Sequence, residues 1–94
     1  MSIKILVLTL RFRAPWCRSL KDRRSALQPV LQKLRSLNVS AVESGGQDCH
    51  TLFDLTVAAI AFSTAQADSM KESILNLAET ATEAELYDVE SELL

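Results

Sequence analysis

The chain has 94 residues, 48% of them apolar and 23% charged, with two glycines and two prolines; this is enough for one compact domain over residues 1–94 and excludes disorder and low complexity. The formal charge of −2 hides a division: residues 1–35 hold nine of the ten Lys and Arg and one acid, Asp22, whereas residues 36–94 hold eleven acids and one cation, Lys71. A pI near 5.3 speaks against a dedicated nucleic-acid binder, and two cysteines without a secretion signal fit a reducing, cytoplasmic setting.

Taken in chain order, residues 3–12 alternate with apolar side chains on both faces, Ile3, Ile5 and Val7 against Leu6, Leu8, Leu10 and Phe12, the pattern of a strand buried on both sides. The apolar run Ile5–Leu10 ends at Arg11 and Arg13, too short for a signal-peptide core or a membrane span. "RAPWCR" reads as a loop, with Pro15 forcing Ala14 out of helical geometry. Ser19 then reads as an N-cap, with Asp22 three residues on as an Asp variant of the capping box. At 100° per residue Leu20, Leu27, Val30, Leu31, Leu34 and Leu37 fall on one stripe, so a helix is predicted over 19–37, bent at Pro29 on its solvent side.

"NVSAVES" predicts a short strand and "GGQD" a turn in which Gly45 and Gly46 can take positive φ. "TLFDLTVAAIAF" predicts a second strand apolar on both faces, with Leu55, Val57 and Ala59 against Ala58, Ile60 and Phe62. Ser63 or Thr64 caps a second helix carrying Ala67, Met70, Ile74 and Leu77. "NLAETATEAE" is its solvated end and a linker, and "AELYDVESEL" closes the chain as an acidic strand.

The order βαββαβ predicts an α+β, ferredoxin-like sandwich: a four-stranded antiparallel sheet with two helices on one face. The strands apolar on both faces occupy the centre, and the polar ones lie at the edges. One sheet face is then bare yet aliphatic, which marks an interface. RNA-recognition domains of this topology stack bases on aromatics there, but only Phe12, Phe53 and Phe62 lie in or near these strands. A homodimer face is therefore expected, built from Ile5, Val7, Leu55 and Val57 or from the alternating set Leu6, Leu8, Ala58 and Ile60; the alternative is a face covered by the chain's own loops and terminus.

The run Ser19–Arg24 (Ser-Leu-Lys-Asp-Arg-Arg), then Asn38-Val39-Ser40, Gln47-Asp48 and "AELYDVE" resemble the YlxP-like proteins, a bacterial family of unknown function, over nearly the whole chain. The matching positions are Ser19, Leu20, Lys21, Asp22, Arg23, Arg24, Asn38, Ser40, Glu43, Gln47 and Asp48. The resemblance implies a ferredoxin-like fold and a gene neighbourhood rich in translation and ribosome-maturation genes, and it supplies no catalytic residue. This chain departs from the family at Pro29, at Ser25, where another cation is common, and at His50, where the family often has Trp.

Three cations, Lys21, Arg23 and Arg24, crowd a helix start, where the macrodipole prefers anions. With Arg18, and with Arg11 and Arg13 on the incoming strand, Lys21 and Arg24 form a phosphate-attracting corner for an RNA backbone. Arg23 projects toward the apolar stripe and needs a carboxylate, from Glu43, Asp48 or Asp54. No metal site is expected, since Cys17, Asp48, Cys49 and His50 lack the paired spacing of one, and no cofactor or small-molecule substrate is indicated. An acylphosphatase-like activity would need a glycine-bearing first loop, which "FRAPWCRSL" lacks. Trp16 is read as an anchor of that loop.

The sequence reading is a cytoplasmic, non-enzymatic, homodimeric accessory protein. It would contact ribosomal RNA or a ribosomal protein and no membrane. The alternative is a protein–protein adaptor whose cations are all spent on internal ion pairs.

Overall fold

The computed structural model describes residues 3–94. Strands β1 (Lys4–Arg13), β2 (Ser40–Gly45), β3 (Leu52–Ala61) and β4 (Glu85–Leu93) and helices α1 (Leu20–Arg35) and α2 (Thr64–Thr80) follow one another as β1-α1-β2-β3-α2-β4. The strands form one antiparallel sheet in the order β2-β3-β1-β4. This is the expected ferredoxin-like α+β arrangement, with the doubly apolar strands central and the polar strands at the edges.

The core lies between the sheet and the two helices. Leu6, Leu8, Leu10 and Phe12 of β1 and Phe53, Leu55 and Val57 of β3 are buried against Leu27, Val30, Leu31 and Leu34 of α1 and Ile74 and Ala78 of α2. Phe12 and Phe53, opposite each other in register, stack with ring centroids 4.8 Å apart, a favourable cross-strand contact in a dry core. Leu86 and Val89 of β4 pack at the margin of the same cluster.

Register decides which residues reach the open face. Lys4 pairs with Ala61 and the pairing runs unbroken to Arg13 and Leu52, so Ile5 faces Ile60 and Val7 faces Ala58. Leu55 and Val57 sit on the helix side with Leu6 and Leu8, all four buried. This corrects both groupings expected for a dimer face. Residues directly opposite in a ladder share a side, and a one-residue offset moves every side chain to the other face. The bare face thus carries Ile5, Val7, Ala58 and Ile60 at one end and Thr9, Arg11, Asp54 and Thr56 at the other.

Helix α1 begins as expected: the Ser19 hydroxyl accepts from the Asp22 amide at 3.1 Å. The Asp22 carboxylate accepts instead from the amide of Arg18, at 2.9 Å, one residue earlier than a standard capping box. The helix runs through Pro29, which is exposed, and ends at Arg35, two residues before the expected Leu37. Leu20, expected in the buried stripe, is 56% exposed. Asn38 then takes a left-handed φ of 60°, a conformation Asn tolerates better than most residues.

The β2–β3 turn needs Gly46. Its φ is +80°, and an added Cβ would stand 2.7 Å from the Leu52 carbonyl oxygen and 3.0 Å from the Phe53 Cα. Gly46→Ala is expected to cost about 2 kcal/mol in urea unfolding, the combined effect of a left-handed φ and a backbone clash. The exposed neighbour substitution Gln47→Ala should stay within about 0.5 kcal/mol.

Candidate functional site

The six cations flanking the first loop divide into two groups. Arg11 points onto the open sheet face, where its NH1 meets the Asp88 carboxylate at 2.8 Å and Glu90 at 3.0 Å, with Asp54 3.7 Å from its Nε. The hydrogen bonds that Arg11 donates to Glu90 and Asp88 raise its pKa above the ordinary guanidinium value. Arg13 lies 3.5 Å from Glu85 and 4.5 Å over the Tyr87 ring. Both had been expected in the anion corner. Strand alternation instead turns them to the side away from the helices, among the acids of β4.

Arg23 is buried, at 5% exposure. Its NH1 pairs with Glu43, its Nε donates to the Leu52 carbonyl at 2.8 Å and its NH2 to the Gly45 carbonyl at 3.1 Å. The carboxylate partner is the expected Glu43. Asp48 is exposed on the turn, with no ion pair among the described residues, and Asp54 belongs to Arg11. A buried guanidinium requires such satisfaction, because an unpaired charge out of water is strongly unfavourable. Glu43 is held under α1 because its position in β2, opposite Leu55, points to the helix side.

Arg18, Lys21 and Arg24 form the second group. All three are exposed, and among the described residues none has a carboxylate within 4.0 Å. At 100° per residue Lys21 and Arg24 continue into Gln28, Gln32 and Arg35, a polar stripe along one flank of α1, exposed throughout. That flank faces the β2 edge. Arg24 and Gln28 line a cleft of about 160 Å³ with Glu43 and Gln47, and Arg35 Nε donates to the Ala41 carbonyl at 3.2 Å. Arg35 was missed in the sequence because a cation in a last helical turn is already explained by the macrodipole; its i+11 spacing from Arg24 was the available signal.

The remaining chemistry-bearing residues stay apart. Among the described residues no group of three His, Cys, Asp or Glu side chains could hold a metal ion. Cys17 is buried, which raises its thiol pKa. Cys49 lies 3.2 Å from the Thr51 hydroxyl, a contact that lowers its own. Trp16 is 50% exposed and lines an open cleft of about 400 Å³ with Ser25, Ala26, Pro29, Ala81 and Thr82. Its loop is tied down by backbone instead: the Ala14 amide donates to the Thr51 carbonyl at 2.8 Å, and the Cys17 amide to Ala14 at 3.0 Å. No helix of the described residues is long and apolar enough to cross a membrane.

A family model described as "Protein of unknown function (DUF503)" matches residues 5–91. A search of curated proteins finds no match.

Proposed function

Because the chain belongs to the DUF503 family of proteins of unknown function, its role has to be read from its own side chains, and we propose that it is a non-enzymatic cytoplasmic accessory protein that contacts an RNA backbone through Arg18, Lys21 and Arg24. One observation carries this reading. Of the cations flanking the first loop, Arg11, Arg13 and Arg23 each have a carboxylate partner, whereas among the described residues the three exposed cations Arg18, Lys21 and Arg24 have none. They also stand where the helix macrodipole opposes positive charge, so local stability does not account for them. Backbone amides of a helix start add to the attraction for phosphate. The resemblance of Ser19–Arg24 to the YlxP-like run, with the translation-rich gene neighbourhood that it implies, favours ribosomal RNA as the backbone.

Labelled small-subunit ribosomal RNA fragments, titrated by fluorescence anisotropy at several salt concentrations, test the proposal. Three phosphate contacts give a slope of log K against log salt of about −2 to −3. Arg18→Glu/Arg24→Glu should weaken binding at least tenfold and flatten the slope, while Arg13→Ala leaves both unchanged. A folded protein that binds nothing at low salt would overturn the proposal and leave the protein-adaptor reading.

A further inference from the structure

We infer that the open face of the sheet pairs with the same face of a second copy of this chain, centred on Ile5 and Ile60; the inference does not depend on the phosphate reading. The starting point is the register. Ile5 lies opposite Ile60 and Val7 opposite Ala58, and one more step of the same alternation sets Ile3 opposite Phe62. Leu94 exchanges both backbone hydrogen bonds with Ile5, at 2.9 and 2.8 Å, which puts its side chain on the same side. Val42 of β2 extends the patch beside Thr56. The patch is thus centred on β1 and β3, with Leu94 just beyond β4 on one side and Val42 of β2, across Thr56, on the other.

It is also uncovered. Ile60 is 70% exposed and Phe62 62%, so the chain's own described loops do not shield it. The exposed parts of Ile3, Ile5, Val42, Ile60, Phe62 and Leu94 form an apolar surface of several hundred Å², the size of patch that marks an interface on a monomer and below the ~800 Å² each partner contributes to a standard one.

Charge selects the occupant. The other end of this face holds Asp54, Glu85, Asp88 and Glu90 against only Arg11 and Arg13, while Glu92, opposite Val7, borders the apolar patch at the sheet edge. A phosphate backbone or an anionic membrane would be repelled there. A flat apolar patch instead fits another flat sheet, packed at about 10 Å. A two-fold axis lying in the plane between the two sheets, perpendicular to the strands near Ile5 and Ile60, lays apolar end on apolar end. It carries the two acidic ends away in opposite directions, so the excess negative charge needs no cationic partner. The helices, and with them Arg18, Lys21 and Arg24, stay on the two outer surfaces of the pair.

Sedimentation velocity from 1 to 300 μM tests this. The wild-type chain is expected to pass from monomer to dimer in the micromolar range, as suits an interface somewhat below standard size. Ile60→Glu should weaken association at least tenfold with an unchanged circular dichroism spectrum. Should Ile60→Glu fail to fold, Phe62→Ser, just beyond the end of β3, serves in its place, with the same expected loss. Thr9→Ser, at the polar end, should leave association unaltered. A wild-type chain that is monomeric at 300 μM overturns the inference, as does a dimer that survives the Ile60 or Phe62 change.

Discussion

Arg23→Ala is expected to lower the unfolding free energy by about 3–5 kcal/mol, the range for removing one partner of a buried ion pair. Among the described residues, the substitution deletes the only side chain that hydrogen-bonds the Leu52 and Gly45 carbonyls and strands the Glu43 carboxylate, whose Oε2 is buried with no other donor. A domain of this size holds some 5–15 kcal/mol in all, so the variant should melt at least about 12 °C lower. The loss should come mostly from the orphaned charge. Arg23→Met with Glu43→Leu, which removes both charges and keeps the volume, should recover most of it, since apolar replacement of a buried pair is often neutral. Urea unfolding of the single and double variants separates the two contributions. A single variant within about 1 kcal/mol of the wild type would mean that water reaches Glu43 and that Arg23 is not structural.

Arg23 also shows how far the sequence could be read. Its place near the apolar stripe follows from helical periodicity, so its need for a carboxylate was legible. Which carboxylate was not: Glu43, Asp48 and Asp54 lie on both sides of one turn, and only the pairing of β2 with β3 directs Glu43 under the helix and Asp54 onto the open face. The same limit misgrouped the open face. Strands β1 and β3 are apolar on both sides, so hydrophobic alternation alone leaves two registers equally good. The charges break the tie. Arg11 and Asp54 are the charged residues inside the two central strands, and a buried placement of either without a partner is unfavourable. Setting them opposite each other fixes odd positions of β1 and even positions of β3 on the open side, which is the observed register. Arg11 and Arg13 were read as part of a basic corner because they are near Arg18 in sequence, whereas strand alternation and the acids of β4 take them to the opposite surface. The exposed trio Arg18, Lys21 and Arg24 needed no long-range information, because all three lie within five residues of the N-cap Ser19.

Pro29→Ala is expected to stabilise the protein by about 1–2 kcal/mol, raising the melting temperature by roughly 5–12 °C. Pro29 is interior to α1, where it lacks the amide that would bond to the Ser25 carbonyl and its ring crowds that carbonyl. Proline at such a site is about 3 kcal/mol worse than alanine. Two effects offset part of the gain. Alanine loosens the unfolded chain, at about 0.4–1 kcal/mol, and the ring's contact in the cleft beside Trp16 and Ala26 is lost. Both are smaller than the helical term because Pro29 is exposed and the residues around it that fill the core, Leu27, Val30, Leu31 and Leu34, are unchanged. The substitution lies on the solvent side, away from Arg24 and from the open sheet face, so it leaves the surfaces proposed for RNA contact and for self-association unchanged. Thermal unfolding followed by circular dichroism reads the result directly. A lower melting temperature would show that α1 depends on a bend at Pro29 to seat Val30, Leu31 and Leu34 on the sheet, and that this bend is worth more than the missing hydrogen bond.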